Sequence, residues 1–434
     1  MTKNYKTVTD QLDRVEERAM KRWKALFVPF VLVFALALGA CTSAETPTEE
    51  PAPEAPEPTE PAPSEPIKIG LLTSLASGPF VPWGVQVRDG MLMAAEEINA
   101  AGGVGGRMIE IVEADDQNDA DAATEAVERL VEDGVVAVGG VISSGVGVPT
   151  AALAEELQVP LFTVKSGSDA VLTQDSRFTF RTCLPAAPMD AGPVLKYAQE
   201  QGLTKVGAIV ADYAWGQAMK SALENTFEGA DVAIQIEVAP VPPDTDFSTY
   251  LRALADFEAE MIVSTGHPPG AFPIVVLSQD ILDVPVTGSW TPFSAALGNL
   301  EQAAIGRYAD FACADYLGDE YQEMARRYMA FSDNTFMSDD AVAGHGIVNM
   351  VADAIAAVGD DPVAIAEYLH GQTYDLEGYA HEMSWTEWGE LAAAQPMLYI
   401  VNEGPAPEGV HEAGDWWLDL LVQADPLEPY VPGS

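Results

Sequence analysis

From residue 67 onward the chain alternates short, nearly continuous apolar runs with longer stretches whose apolar residues recur every three to four positions. The first kind reads as buried strand and the second as helix. Strands are expected over 67–72 and 108–112, and helices over 85–100 and 120–132. In the last of these, Ala122, Ala123, Ala126, Val127 and Leu130 share one face. Strands over 135–138 and 161–164 bracket a further helix-like segment. Similar units continue through 206–210, 214–227, 232–238, 261–264 and 274–281. Repeated βα units imply an α/β fold with parallel sheets covered by helices on both faces. The pattern runs longer than one core sustains, so two lobes are expected.

Upstream the pattern changes twice. Residues 25–38, ALFVPFVLVFALAL, form an apolar run preceded by Lys21, Arg22 and Lys24. A membrane-spanning helix needs ~20 apolar residues, so this shorter run reads as a signal peptide occupying 1–40. Met20 is an alternative start, because MKRWKALF is by itself a complete basic leader. Leu38-Gly39-Ala40-Cys41 resembles the lipobox of bacterial lipoproteins, which implies a lipid on Cys41 and an extracytoplasmic location at the membrane surface. An uncleaved membrane anchor is the other reading of the run. Residues 42–66 then carry 8 prolines and 7 glutamates. Such a segment has too little apolar surface to offset its ordering entropy, so 41–66 is expected to be an extended tether.

Charge narrows the partners. The chain carries −46 overall, and residues 67–434 account for −42 of it. A broad basic patch for nucleic acid or anionic lipid is excluded. So acidic a surface fits a salt-rich medium, where screening shortens self-repulsion; an acidic exported protein at ordinary salt is the alternative.

The strand over 135–138 is followed by glycines and by Ser143 and Ser144, and the strand over 161–164 by the small loop 165–169. Ligands of open α/β sheets sit beyond the carboxyl ends of the strands. Hydroxyls and bare N–H groups at helix starts suit an anion. This stretch is therefore expected to hold an anionic group of a small ligand.

Other motifs fail on their spacing. Gly102–Gly106 lacks the lysine of a phosphate loop and follows a helix. Asp115, Asp116, Asp119 and Asp121 lack the glycine and closing glutamate of a calcium loop, and read as an acidic helix start. His381-Glu382 does not extend to HExxH, and no G-x-S-x-G surrounds Ser143 or Ser144. No metal, cofactor or enzymatic activity is expected.

Several short stretches together are similar to the type I periplasmic binding proteins, in the leucine/isoleucine/valine-binding branch that serves ABC importers. They are Ile67-Lys68-Ile69-Gly70, Ser77-Gly78-Pro79, Trp83-Gly84, the run from Ala94 to Arg107, Asp115-Asp116, Leu172-Thr173 and Phe180-Arg181-Thr182. The resemblance covers about 67–400. It implies two Rossmann-like lobes joined by a hinge of three crossovers at 181–185, 309–315 and 374–379. Lobe one would be 67–182 plus 314–376, and lobe two 185–311 plus 377–434. Trp385 to Glu390 resembles the late turn before the family's final strands.

The resemblance implies that Ser143, Gly167 and Ser168 grip a ligand carboxylate, with Trp83 and Trp215 covering it. His267 falls near another aromatic position. Amino-acid binders place an acid in lobe two against the ligand ammonium, and here Trp290 stands in that position. Asp212 could supply the missing charge, Trp290 could offer a cation–π face, or the ligand lacks an ammonium; the last is favoured. Lys165 is read as a salt-bridge partner of one of the many acids, with a second anion contact as the alternative. Cys183 and Cys313 both fall at crossovers; a disulfide and two buried thiols stay open.

The expected function is a lipid-anchored solute-binding protein that closes on a small carboxylate or amide ligand and delivers it to an ABC permease. A sensor feeding a membrane receptor and, remotely, a serine hydrolase using Ser143 or Ser144 are the alternatives.

Overall fold

The computed structural model describes residues 65–433, apart from 241–245, 266, 289, 292, 294, 295, 297–299 and 413. The expected signal peptide, Cys41 and the tether up to residue 64 lie outside the described residues.

The chain opens with β1 (Ile67–Thr73), α1 (Val81–Ala100), β2 (Ile109–Asp115), α2 (Ala120–Glu132), β3 (Val138–Val141), α3 (Ser144–Leu157), β4 (Leu161–Thr163) and β5 (Thr179–Arg181). These strands form one parallel sheet in the order β2-β1-β3-β4-β5. The helix expected from residue 85 starts at Val81, because Pro82 occupies its first turn, where a missing N–H costs nothing. Asp119 caps α2 by accepting from the Ala122 N–H, and Asp115 and Asp116 accept from the backbone of Gln117 and Asn118. The acids thus serve local structure.

β3 corrects the sequence reading: it covers 138–141 where 135–138 was expected. Gly139 and Gly140, which the sequence pattern sets at the strand's end, lie inside it. The reason is packing, since a Cβ on Gly139 would stand 2.9 Å from Ile347.

The chain continues through α4 (Ala187–Glu200), β6 (Lys205–Ala211), α5 (Ala214–Phe227), β7 (Ala233–Ala239), α6 (Ser248–Asp256), β8 (Met261–Ser264), α7 (His267–Ile281), β9 (Val286–Thr287) and β10 (Tyr308–Ala312). It then forms α8 (Asp319–Phe331), α9 (Asp339–Val358), α10 (Pro362–Leu369), β11 (Met397–Glu403) and β12 (Trp416–Gln423). The second sheet runs β12-β11-β10-β9-β8-β6-β7, and β11 and β12 are its antiparallel members. α9 returns to pack along α1, beside the first sheet.

The chain passes between the sheets three times, and the crossing segments lie side by side. Ala314 bridges Tyr379, and the Ala380 N–H donates to the Cys313 carbonyl. Cys183 and Cys313 form a disulfide with their Cα atoms 5.3 Å apart.

One stretch departs from the boundaries expected from sequence. Residues 385–390, assigned there to lobe two, sit against β5 of the first sheet. The Arg181 N–H donates to the Gly389 carbonyl, and Trp385 Nε1 donates to the Arg181 carbonyl at 2.7 Å. The C-terminal residues follow: Gln174 and Trp388 donate to the carbonyls of Pro432 and Tyr430. β5 is short and lies at the edge of its sheet, so this returning segment covers an otherwise open row of backbone groups.

Candidate ligand site

Because β3 and β4 are neighbours, their carboxyl-end loops meet. Ser143 ends the first loop as the cap of α3, accepting from the Gly145 N–H at 3.3 Å. Ser144 Oγ reaches the second loop and accepts from the Ser168 N–H at 3.1 Å. Ser166 Oγ returns the tie, at 3.2 Å from the carbonyls of Ile142 and Ser143. Ser168 in turn caps a single 3-10 turn at Asp169–Val171. In this conformation the Ser168 N–H, expected to meet a ligand, is engaged by Ser144.

Arg181 holds the second loop from beneath. Its guanidinium donates to the carbonyls of Ser166 and Ser168 and, at 2.9 Å, to Glu390. Arg181 and Glu390 are both fully buried. The arginine thereby fixes the carbonyls of the 166–168 loop, and Glu390 balances its charge. Sequence reading placed Arg181 in a hinge motif and missed this role; no local pattern connects it to Glu390.

Trp83, Trp215 and Trp290 are all buried. Trp215, at the start of α5, lies across Gly167, and its Nε1 is buried with no hydrogen-bond partner among the described residues. Trp83 Nε1, from α1, donates to the Trp290 carbonyl at 2.9 Å. Each of these contacts joins an element beside the first sheet to one beside the second. His267 begins α7, and its side chain lies outside the described residues.

Trp290 is held on every side. Its N–H and that of Thr291 donate to Asp310 at 2.8 and 2.9 Å. Its Nε1 points at Asp190, 3.2 Å from each carboxylate oxygen. The Lys165 ammonium lies 4.7 Å from its ring centroid. Of the three alternatives left open by the sequence, a Trp290 face for a ligand ammonium is disfavoured, since the protein's own lysine lies over that ring. Asp212 does not supply the charge either, since it is exposed and accepts from Gln217 Nε2 at 2.7 Å.

Lys165 also pairs with Asp339 at 2.7 Å and lies 3.9 Å from Asp340. Four carboxylates (Asp190, Asp310, Asp339 and Asp340) thus surround one ammonium in a buried space. Desolvation pushes the Asp190 carboxyl up to about 7, opposed by the Trp290 hydrogen bond. Desolvation likewise pushes Asp340 up to about 8, opposed by Lys165. Asp310 differs in being well served, by the two backbone N–H groups at 290–291, that of Phe311 and the Tyr308 hydroxyl. The sequence expectation for Lys165 was a salt bridge to an unspecified acid; the convergence of these four was not legible.

The comparisons agree with this architecture. Residues 66–401 match the model of a family described as periplasmic binding protein. The Leu/Ile/Val-binding protein BraC3 of Rhizobium johnstonii is 26% identical over 356 residues, covering 76% of this chain and 94% of that protein. A leucine-, isoleucine-, valine-, threonine- and alanine-binding protein of Pseudomonas aeruginosa is 25% identical, covering 75% and 87%. Among solved structures, the leucine binding protein LivK of Thermotoga maritima superposes with a TM-score of 0.70 at 20% identity, over 83% of this chain and 99% of that one. A solute binding protein of an R. palustris ABC transporter, in complex with benzoate, gives 0.68 at 20% identity, over 85% and 98%. With its two βα sheets, three adjoining crossovers and a family match across most of its length, this chain belongs to the periplasmic binding protein family.

Proposed function

We propose that the protein is the extracytoplasmic solute-binding component of an ABC-type importer. In this reading it is anchored by a lipid on Cys41, held off the membrane by the 41–66 tether, and closes on a small carboxylate-bearing ligand. The lobes would divide as the sheets do, with 385–390 and the C-terminal residues counted with the first. Closure would desolvate the ligand and present a lobe surface to the permease.

The observation that carries the reading is the pair of hydroxyl-rich loops at the ends of β3 and β4, with Trp215 packed on Gly167 from the side of the second sheet. Ser143, Ser168 and the backbone around Gly167 would bind the carboxylate, displacing the Ser144–Ser168 tie. Trp83 and Trp215 would cover the apolar remainder, and the unpaired Trp215 Nε1 would offer a donor. Relatives named for leucine, isoleucine and valine and a fold neighbour holding benzoate bracket the ligand class. An acid without an ammonium is favoured, because Trp290 stands where amino-acid binders place the pairing acid and its ring face is already covered by Lys165.

A thermal-shift panel of branched-chain amino acids, benzoates, aliphatic dicarboxylates and their amides tests this. Stabilisation by a monocarboxylic acid above its amino-acid counterpart is expected. Selective stabilisation by leucine, isoleucine or valine would overturn the ammonium argument, and silence across all carboxylates would overturn the cradle. Partition into membranes should be lost in Cys41→Ser.

A further inference from the structure

The buried acids around Lys165 are supplied from both sides of the cleft. Asp339 and Asp340 stand at the start of α9, packed beside the first sheet with Lys165. Asp190 comes from α4 and Asp310 from β10, on the side of the second. Lys165 reaches across to Trp290, which itself reaches Asp190. The cluster exists in this form only when the two sides are together.

Its charge does not balance. Asp310 receives four hydrogen bonds, and Asp339 pairs with Lys165 and accepts from the Cys313 N–H. Those two carboxylates already exceed the single ammonium. Asp190 is served by one indole N–H shared between its two oxygens, and Asp340 by the Ser338 hydroxyl on one oxygen, the other having no hydrogen bond among the described residues and lying 3.9 Å from Lys165. Ionising both would bury two further negative charges offset by few hydrogen bonds and by a Lys165 that Asp339 already engages. A buried carboxyl in that position keeps its proton instead.

We propose that Asp190 and Asp340, one from each side of the cleft, form a two-proton site that loads as the lobes close and empties as they open. This rests on the reading of the protein as a hinged binding protein. The groups facing the pair are Lys165 from the loop after β4, Asp310 and Tyr308 from β10, Asp339 on α9, and Tyr316 and Tyr379 from the crossovers. The tyrosine hydroxyls are all pushed further up by burial, so they stay neutral. Lys165 is held charged by its acids. Among these groups, Asp190 and Asp340 are the carboxyls that burial raises toward neutrality.

The sign follows from linkage. Opened and hydrated, both acids would titrate near ~4; closed, desolvation holds both well above that. The closed form binds more protons, so closure is favoured in acid and weakens as pH rises toward the raised values, levelling off above them. Each proton released changes the closing equilibrium by up to about tenfold per pH unit in that window. An importer built this way holds its solute more tightly in acid and gives it up more readily in alkali.

The experiment needs no ligand, so it separates this proposal from the choice of solute. Small-angle X-ray scattering on the unliganded protein in molar KCl, which screens the surface acids, compares pH 5.5 with pH 8.5. The wild type is expected to become less compact at the higher pH, and Asp190→Asn with Asp340→Asn to remain compact at both. A pH-independent wild type, or a double variant that keeps the wild-type pH response, would overturn the proposal. Should the double variant fail to fold, infrared spectroscopy of the wild type decides. Absorption from buried protonated carboxyls that is present at pH 5.5 and fades by pH 8.5 supports it, and its absence at pH 5.5 rejects it.

Discussion

Gly167 lies beneath the indole of Trp215 so closely that a Cβ there would stand 2.2 Å from the ring carbon Cζ3 and 2.7 Å from Leu184. No side chain larger than hydrogen fits between the two loops. Gly167→Ala must therefore push Trp215 away, and overpacking of this kind costs about 1–3 kcal/mol. Its expected effect is a loss of about tenfold or more in affinity for whichever carboxylate the thermal-shift panel identifies, read by calorimetry. Unchanged affinity would remove the Gly167–Trp215 contact from the closed, ligand-holding state.

Trp83 ties the two sides through the hydrogen bond from its Nε1 to the Trp290 carbonyl. Trp83→Phe keeps much of the ring and removes the donor, leaving a buried carbonyl unsatisfied at about 1–3 kcal/mol. A melting temperature within error of the wild type would show that this carbonyl finds another donor.

Arg181 and Glu390 form an ion pair with no access to water. Removing one partner strands the other's charge, a loss of about 3–5 kcal/mol. Arg181→Met is expected to lose that much in denaturant unfolding and to weaken ligand binding as well, because the 166–168 loop loses its support. Replacing both residues by apolar ones should recover part of the stability without the binding. Recovery of both would mean that the loop holds itself.

The Cys183–Cys313 bridge closes a loop of 130 residues in sequence. Reduction removes a restraint on the unfolded chain, and about 2–5 kcal/mol of stability should go with it. Thiol titration of the denatured, unreduced protein should find neither cysteine free. Ligand affinity should change little, since the bridge ties adjacent crossing segments and does not span the cleft.

Residues 67–434 carry −42, far more negative than folding requires. Screening relieves self-repulsion, so the melting temperature should rise from low to molar KCl. A flat or falling profile would remove salt adaptation as the reason for the acidic surface.

The sequence by itself determined the alternation of strand and helix, the hydroxyl loops at two neighbouring strand ends and the acidic helix starts. All of these are written in residues close together along the chain, where periodicity and capping act. It misplaced β3, because glycines that end a strand and glycines that admit a neighbouring helix look alike without Ile347 in view. Only the tertiary structure decided the partners of the buried charges. Lys165 meets Asp339 across 174 positions, Arg181 meets Glu390 across 209, and Trp290 meets Asp190 across 100. Desolvation makes these encounters decisive, since a charge that is cheap in water must find its particular partner once water is gone. Sequence left open whether the Trp290 face meets a ligand's cation; in the fold the cation over that ring is the protein's own Lys165.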